Sequence, residues 1–356
     1  MNILKESFIN NYMIKGKNMK ISKMVKVVIA LCVIIIMVIV IKMMTVAKEN
    51  EISNDLFFYE KKGDFYFDEF LDNGGATSDE KVAEFLMKKL GDQVNVKNIF
   101  SNIFSCSTFQ IKSADGYLTG RNFDFTRCRA AILKVKPKNG YKSISTIDID
   151  FIGSIYNKVP DNLKPYILYY APLDGMNEKG VVVAVNMIED NENINQNEKE
   201  KNITTTTAIR LILDKAKDVE EAIELLKNYN MHASKGMVIH FFISDASGKS
   251  VAVEYIDNKM SVLDTKILTN FYLTEGKKYG IGTTESHKRY DILKENILTS
   301  KDYEINDAMS LLSKVSKKNF ATFATTEWSI VFDQNNLTYN LCHRENYSKT
   351  FTYNLK

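Results

Sequence analysis

One cysteine stands at the start of a short run of residues that could activate it. Cys106 lies between two serines, and Arg121 and Asp124 follow within the string GRNFD. In between, the segments STFQIKS and YLTGRNFDF flank Asp115-Gly116, a dipeptide typical of a β-hairpin turn. A hairpin here would return Arg121 and Asp124 to the side of Cys106. Because a cation beside a thiol favours the thiolate, the pattern indicates a cysteine nucleophile.

No histidine lies close enough in the sequence to serve as the base that such a nucleophile needs. A cut between Ser105 and Cys106 would supply a base, because it would free the α-amine of Cys106 next to its own thiol. Such an amine has an ordinary pKa of about 7.7–8.0, which suits a general base at neutral pH. Asp124 would then hold the ammonium form. In the simpler interpretation, Cys106 is a small buried hydrophobic residue and no cut is needed.

Other catalytic and cofactor motifs lack a residue type or a spacing that their chemistry needs. SDASGKS ends like a phosphate-binding loop, but Ile243 stands where the first glycine is required, and a hairpin turn explains the string better. The sequence contains no HExxH, no GxSxG and no cysteine pair at zinc spacing. We therefore expect no metal ion and no cofactor. The histidines are His232, His240, His287 and His343.

Three further strings follow GRNFDF in order: PLDGMNEKGVVVAVNM, LTNFYLT and SHKRYDIL. With them, the chain from Cys106 to its C-terminus resembles the choloylglycine hydrolase family of N-terminal-nucleophile amide hydrolases. This family includes bile-salt hydrolases, penicillin V acylases and the acid-ceramidase group. The resemblance implies an αββα sandwich, in which residues 174–180 form the turn that leads into the strand of Asn186.

The same resemblance implies a set of catalytic residues: Cys106, Arg121, Asp124, Asn186, Asn270 and Arg289. Cys106 would be the nucleophile, and its α-amine would be the base. Asn186 would donate to the oxyanion, Asn270 would line the site as a second asparagine, and Arg289 would be the downstream active-site arginine. Simpler roles are open for three of the residues: a strand-end cap for Asn186, a solvated helix position for Arg289 and a surface ion pair for Arg121.

The position of Cys106 departs from that in bile-salt hydrolases, where the cysteine follows the initiator methionine. Here 105 residues precede it, so removal of one methionine would not expose the amine. The acid-ceramidase group, by resemblance, cleaves itself into two chains that stay associated. We therefore expect residues 47–105 to be a pro-segment or a small α-chain and residues 106–356 to be the hydrolase domain.

The N-terminal region differs from the rest of the chain in charge and hydropathy. Residues 1–46 hold seven lysines and one glutamate, so they carry +6, and the remainder carries −3 of a net charge of +3. Within them, residues 24–46 form an apolar stretch long enough to cross a membrane. The lysines predict that residues 1–23 are a basic cytoplasmic N-terminus and that the hydrolase domain lies outside the cell membrane. The alternatives are a signal peptide cleaved near Ala47, which would give a secreted protein, and a buried core helix.

The elements that must position these residues alternate between strands and helices. Strands are predicted for AAILKVKP, SISTIDIDFIG, MVIHFFISD, SVAVEYI, EWSIVFD and LTYNLCH, and the last two close the chain as a hairpin. Amphipathic helices are predicted at residues 206–216, 219–229, 286–297 and 306–315, and another follows a capping box of Thr77 and Glu80. This order indicates antiparallel sheets with a helical layer, an α+β domain. Residues 48–76 show no pattern clear enough to assign.

Together these features predict a hydrolase that cleaves a linear, non-peptide amide bond of a small N-acyl substrate. The alternatives are acyl transfer from the same thioester and an unprocessed, inactive surface-binding protein with the same fold. The expected partners are the substrate and, through residues 24–46, the membrane. No basic stripe indicates nucleic acid, and association into a homo-oligomer stays open.

Overall fold

The computed structural model describes residues 28–29, 31–34, 37, 50–91, 105–153, 155–297, 301–318 and 325–356. Contacts divide the chain into two units, residues 1–51 and residues 52–356. The seven described positions between residues 28 and 37 are helical. Among the described residues, no helix is both long and apolar enough to cross a membrane. Most of the anchor predicted over residues 24–46 lies outside the described residues, as do residues 92–104.

The described residues form seventeen strands and nine α-helices, which are numbered here in chain order. The strands are β1 (Glu51–Ser53), β2 (Leu56–Gly63), β3 (Ser105–Ser113), β4 (Gly116–Phe125), β5 (Ala130–Pro137), β6 (Ser143–Asp148), β7 (Asp174–Asn177), β8 (Val182–Ile188), β9 (Asn202–Thr204), β10 (Asn230–His232), β11 (Val238–Ser244), β12 (Ser250–Ile256), β13 (Lys259–Asp264), β14 (Ile267–Leu268), β15 (Thr325–Asp333), β16 (Thr338–His343) and β17 (Thr350–Asn354). The helices are α1 (Phe67–Asp72), α2 (Asp79–Leu90), α3 (Ile149–Ile152), α4 (Ile155–Lys158), α5 (Lys164–Tyr169), α6 (Thr205–Lys215), α7 (Val219–Lys227), α8 (Thr284–Asn296) and α9 (Ile305–Lys314).

Most of the strands belong to two sheets that pack face to face. The larger sheet has the order β1-β2-β5-β6-β7-β8-β11-β12-β13, the smaller has the order β14-β3-β4-β15-β16-β17, and β9 and β10 form a separate parallel pair. Helix α6 packs on β7 and β8, whereas α8 and α9 pack on strands of the smaller sheet, and β3 meets β8 where the sheets face each other. The predicted α+β class, with helices packed on antiparallel sheets, is confirmed.

The interface between the two sheets is buried and, outside the polar network described below, largely apolar. All seven residues of β8 are buried, as expected of a strand covered on both faces. Phe123 of β4 stacks on Trp328 of β15 with ring centroids 4.1 Å apart, and both rings are buried. Such aromatic pairs contribute chiefly through the apolar area that they remove from water. Strand β4, which carries GRNFD, is therefore held between β3 and β15 and against the larger sheet.

Strands β1 and β2, which precede Cys106 in the chain, belong to the larger sheet. Strand β2 pairs in parallel with β5, from Leu56 opposite Ala130 to Gly63 opposite Pro137. Helix α1 packs its aromatic side chains on those at the end of α5. This parallel pair is an exception to the predicted antiparallel arrangement. The pair also shows that residues 56–63 form a strand. The sequence of residues 48–76 did not predict it, because parallel strands are not joined by a short turn that would mark the pairing.

Some element boundaries differ from the prediction. The strand predicted at SISTIDIDFIG ends at Asp148, because the Asp148 carboxylate accepts the N–H groups of Asp150 and Phe151 and so caps α3. Ser78, rather than Thr77, is the N-cap of α2. Strand β17 adds a third strand to the predicted terminal hairpin. The four helices predicted after residue 205 begin and end within two residues of their predicted bounds.

Candidate active site

The predicted hairpin after Cys106 forms as strands β3 and β4. In its register, Arg121 lies opposite Thr108, and Asp124 lies opposite Ser105. Cys106 is fully buried on β3, and its peptide bond to Ser105 continues the strand. The hairpin therefore brings Arg121 and Asp124 back to the side of the cysteine.

The backbone of Cys106 is bonded by two of the predicted site residues. Its N–H donates to Asn270 Oδ1 at 2.7 Å. Arg289 donates through Nη2 to the same Asn270 oxygen at 2.8 Å and through Nη1 to the carbonyl oxygen of Cys106. Nη1 of Arg289 also donates to Ser107 Oγ at 2.6 Å. Arg289 is thus a buried residue of α8 rather than a solvated one, and the nitrogen that a cut would free is already held in place.

Asp124 lies beside the bond that a cut would break. Its carboxylate is fully buried, Thr326 Oγ1 donates to its Oδ1 at 2.6 Å, and Arg289 Nη1 lies 3.6 Å from its Oδ2. Burial raises the pKa of Asp124, and the charges of Arg289 and Lys317 oppose the rise without cancelling it. Lys317 Nζ donates to Ser105 Oγ at 2.9 Å. Lys317 therefore contacts the residue before Cys106 and lowers the pKa of the Asp124 carboxyl opposite that residue.

A second network surrounds Arg121, whose side chain is fully buried. Its Nη1 donates to Asn186 Oδ1 and its Nη2 to the carbonyl oxygen of Val185, each at 2.6 Å. Its Nε lies 3.5 Å from Oδ2 of Asp174, a carboxylate that is also fully buried. Thr108 Oγ1 donates to Asn186 Oδ1 at 3.1 Å. Arg121 therefore belongs to the interior between the sheets and is not a surface ion pair.

The amide of Asn186 is used within the protein. Its Nδ2 donates to the carbonyl oxygens of Leu268 at 3.2 Å and Thr269 at 3.0 Å, while its Oδ1 accepts from Arg121. The residue lies within β8, so it is not a cap at a strand end. To donate to an oxyanion, Asn186 Nδ2 would have to break its hydrogen bond to the carbonyl oxygen of Leu268 or of Thr269.

The thiol of Cys106 is protonated at neutral pH in this uncut chain. Burial raises its pKa to about 11, and Asp124 adds to the rise, whereas Arg121 and Arg289 act against it. A protonated, buried thiol is a poor nucleophile. For the Cys106 thiol to react with an external substrate, either a base must be formed at its backbone nitrogen or the thiol must become accessible from solvent.

Sequence reasoning missed several residues that contact this set, among them Thr108, Asp174, Lys317 and Thr326. Asp174 belongs to the string interpreted as a turn, but residues 174–177 form strand β7, and the turn follows at residues 178–179. Its Oδ2 also accepts the indole N–H of Trp328 at 2.9 Å. Thr108 had a usable signal, since it follows Cys106 by two positions on the same strand face. Lys317 and Thr326 come from the far end of the chain and had none.

The groups of this site that could take part in a reaction are protein side chains and backbone groups. Among the described residues, no group of three or more His, Cys, Asp or Glu side chains is placed to hold a metal ion. The charges of Arg121 and Arg289 favour the thiolate of Cys106, although burial outweighs them in the uncut chain and raises the pKa of the thiol. A thiol, a neighbouring backbone nitrogen and two guanidinium groups suit the transfer of an acyl group to sulfur.

Residues 106–310 match the model of the linear amide C–N hydrolases, choloylglycine hydrolase family. The chain belongs to this family. The family match thus begins at Cys106 and includes every predicted site residue. The resemblance seen in the sequence is confirmed, and the chain is a member of an enzyme family that acts on linear amide bonds.

Individual members of the choloylglycine hydrolase family resemble the chain over different lengths. Bile salt hydrolase/transferase from Clostridium perfringens (strain 13 / Type A) is 30% identical over 187 residues, which are 46% of this chain and 53% of that protein. The chain therefore spans about half the length of this curated relative. Two crystal structures of conjugated bile acid hydrolase variants from Clostridium perfringens have TM-scores of 0.53 at 19% and 18% identity. Each alignment covers 70% of this chain and 92% of the other. At this identity the likeness shows the fold, an N-terminal-nucleophile-hydrolase-like α+β fold with two antiparallel sheets.

Proposed function

We propose that this chain is cut between Ser105 and Cys106 and then hydrolyses a linear amide bond of an N-acyl substrate. The observation that carries the proposal is the position of Cys106. The family match begins at this residue, and its nitrogen is bonded to Asn270. The proposed catalytic residues are Cys106, Arg121, Asp124, Asn186, Asn270 and Arg289.

The chain itself would make the cut. The Cys106 thiol would attack the carbonyl carbon of Ser105, so that the C–N bond breaks as a C–S bond forms and the thiol proton passes to the nitrogen. Water would then hydrolyse the thioester and leave a Ser105 carboxylate, a free thiol and a free α-amine. Two contacts support this step. Lys317 bonds the Ser105 side chain, and Asp124 lies opposite Ser105 with a raised pKa that suits proton transfer.

The freed α-amine of Cys106 would be the general base. Its nitrogen lies 2.7 Å from Asn270 Oδ1, which already accepts one of its hydrogens and would orient the amine. An amine with an ordinary pKa of about 7.7–8.0 is half protonated close to neutral pH. Because it is joined covalently to the nucleophile, little entropy is lost in positioning it.

In the cut enzyme, the Cys106 thiolate would attack the substrate carbonyl, and the ammonium group would protonate the departing amine. Asn186 and a backbone N–H would stabilise the oxyanion. Because the Asn186 amide is bonded to the carbonyl groups of Leu268 and Thr269 in the uncut chain, we propose that the cut allows it to turn toward the substrate. Water, activated by the α-amine, would then hydrolyse the thioester.

Transfer of the acyl group to a second amine is the other candidate reaction. It is favoured by the name of one relative, a bile salt hydrolase/transferase, and it would use the same thioester. The two reactions differ in which nucleophile reaches the thioester. Incubation with an added amine distinguishes them, because hydrolysis yields a free acid and transfer yields a new N-acyl amine.

We further propose that residues 24–46 anchor the protein in the cell membrane, with residues 1–23 inside and the hydrolase domain outside. The support for this is the concentration of lysines before an apolar stretch of spanning length. In the alternative, a signal peptide is removed near Ala47 and the protein is secreted. The N-terminal sequence of the upstream chain distinguishes the two.

N-terminal sequencing and intact mass of the purified full-length chain test the cut. We expect a new N-terminus at Cys106 in a protein that hydrolyses N-acyl amides. Cys106→Ala should stay uncut and inactive. Cys106→Ser should cut slowly and hydrolyse little, because a hydroxyl is the weaker nucleophile. Cys342→Ala is the matched control, since Cys342 is buried between the smaller sheet and its helices, and this variant should be cut like the wild type.

Two outcomes would count against the proposal in different ways. An enzyme that is fully active while Ser105 remains joined to Cys106 would contradict the N-terminal-nucleophile mechanism. An intact bond in a protein that cleaves no amide would favour the unprocessed surface-binding protein instead.

A further inference from the structure

A buried histidine and a buried glutamate lie side by side next to the site in the larger sheet. His240 of β11 lies opposite Asn186 of β8 on one side and opposite Glu254 of β12 on the other. The side chains of His240 and Glu254 are both fully buried, and His240 Nδ1 lies 3.1 Å from Glu254 Oε1. The proposed mechanism uses neither residue, so the burial of two ionisable groups here needs an explanation.

Both ring nitrogens of His240 face hydrogen-bond acceptors. Nε2 lies 2.8 Å from the carbonyl oxygen of Thr269, which can only accept, so Nε2 carries a hydrogen. Nδ1 faces Glu254, whose oxygens also accept the N–H groups of Leu273 at 2.8 Å and Thr274 at 2.9 Å. Burial raises the pKa of Glu254, but the bonds from His240, Thr274 and Leu273 outweigh burial and hold that pKa below its usual value. An ionised carboxylate can only accept, so a hydrogen bond between Nδ1 and Glu254 requires a hydrogen on Nδ1 as well.

The carbonyl group of Thr269 links this pair to two predicted catalytic asparagines. It accepts from Asn186 Nδ2 at 3.0 Å as well as from His240. The next residue, Asn270, accepts the N–H of Cys106. A shift of the Thr269 carbonyl would therefore displace both the proposed oxyanion donor and the acceptor that orients the nitrogen of the nucleophile.

We propose that His240 and Glu254 form a charged pair that positions Thr269 and Asn270 for catalysis. The inference rests on the proposed function, because positioning is measured through amide hydrolysis. The pair holds the segment at both ends: His240 bonds the carbonyl of Thr269, and Glu254 accepts the N–H of Thr274. His240 and Glu254 are thus positioning residues, since they act through groups that touch the substrate or the nucleophile.

The groups around the pair are compatible with a cationic ring. Of the groups that the structure describes, Glu254 is the charged one in direct contact with His240. Arg121 is bonded to Asn186, the cross-strand neighbour of His240. Tyr272 lies near Glu254 but stays neutral, because burial raises its pKa. One imidazolium and one carboxylate therefore compensate each other in an interior where a single unpaired charge is costly.

The protonation state of His240 is measurable without any substrate. Nitrogen-15 NMR of histidine-labelled wild-type protein distinguishes a ring with two N–H groups from a neutral ring with one bare nitrogen. We expect the His240 signals, identified by their loss in His240→Gln, to show two protonated nitrogens at neutral pH. A neutral ring would overturn the inference. If His240→Gln fails to fold, the signals lost in His232→Gln, His287→Gln and His343→Gln assign the remaining wild-type signals to His240.

Kinetics of two variants test the positioning role. His240→Gln and Glu254→Gln should each lower kcat by up to about 10²-fold, the scale for a misplaced catalytic group, while KM changes by less than roughly threefold. The double variant should lose no more activity than the worse single variant, because the two residues act as one unit. His232→Gln is the control, since it removes a histidine of β10 outside these networks, and it should retain the wild-type kcat.

The outcomes separate this inference from the proposed function. A kcat within twofold of wild type in both single variants would overturn the positioning role. A wild type with a doubly protonated His240 that hydrolyses no amide would refute the proposed function, and the positioning role with it, but not the ion pair. A neutral His240 in an active enzyme would refute the ion pair and leave the proposed function intact.

Discussion

Asn186 joins elements of both sheets through the two ends of one amide. Its Oδ1 accepts from Arg121 of β4 and Thr108 of β3, and its Nδ2 donates to the carbonyl group of Leu268 in β14. A buried polar group that loses its partner costs about 1–3 kcal/mol, so such a residue stabilises one arrangement of the strands. If Asn186 also serves the oxyanion, it must exchange a structural bond for a catalytic one during the reaction.

We expect Asn186→Ala to keep the fold and to lose about 10²–10³ in kcat, the scale for one oxyanion donor. The thermal midpoint should be measured alongside kcat, because the variant also deprives Arg121 of one acceptor. Asn193→Ala is the control, since Asn193 is exposed in the segment between β8 and β9, and it should change neither quantity. Activity within a factor of two of the wild type would assign Asn186 to structure alone.

Single residues of the candidate site differ in how far the sequence could predict them. The positions of Arg121 and Asp124 could be predicted from the local sequence, because a short turn and the alternation of side chains along a strand determine which residues lie opposite each other. Asn270 was reached through the family resemblance alone. Lys317 and Thr326 contact the site across most of the chain length, and no local pattern signals such a contact.

Strands β3 and β4 pair through a glycine whose role is steric. Gly120, the first residue of GRNFD, lies opposite Phe109. A Cβ atom on Gly120 would lie 2.4 Å from the nearest atom of the Phe109 ring, which is fully buried between the smaller sheet and its helices. Gly120 therefore leaves room for the Phe109 ring of the neighbouring strand. Its position in the GRNFD string does not indicate this steric role.

We expect Gly120→Ala to lower the free energy of unfolding by about 1–3 kcal/mol, the usual cost of overpacking, because the Phe109 ring must move. Combining it with Phe109→Leu should recover part of the loss relative to Phe109→Leu alone. Urea unfolding in a Cys106→Ala background measures both effects on a chain that we expect to stay uncut. Unchanged stability in Gly120→Ala would show that the ring has room to shift.

Elements closed by short turns were predictable, and elements paired over long distances were not. The hairpin of β11 and β12 is signalled locally by a turn between two apolar runs. Strand β2 has no such signal, since its partner β5 lies far along the chain and runs parallel to it. The end of β6 depended on a single side chain, Asp148, which caps a helix rather than continuing a strand.

The proposed cut falls within one compact unit of the whole molecule, residues 52–356. On the upstream side, β2 pairs with β5 along eight positions. Phe70 of α1 packs on Tyr170 with ring centroids 5.5 Å apart. These contacts do not involve the bond before Cys106, so we expect them to persist if that bond is cut.

We therefore expect the cut protein to elute as one species from a native sizing column and to separate into two chains in denaturant. Phe67→Ala combined with Phe70→Ala should release the upstream chain on dilution, because each buried phenylalanine contributes about 3–5 kcal/mol. Lys81→Ala, at an exposed position of α2, is the control and should stay assembled. Loss of the upstream chain from the wild type in native buffer would contradict this expectation.

The parallel pairing of β2 with β5 has a consequence for how long a mature molecule lasts. Before the cut, folding is unimolecular, because both strands belong to one polypeptide. After the cut, a molecule that unfolds in dilute solution must find its other half by diffusion, so re-formation depends on protein concentration. The persistence of the mature enzyme would then be governed by its rate of unfolding rather than by an equilibrium. Such a chain would fold once as a single polypeptide. After the cut, the slowness of its unfolding would maintain the fold.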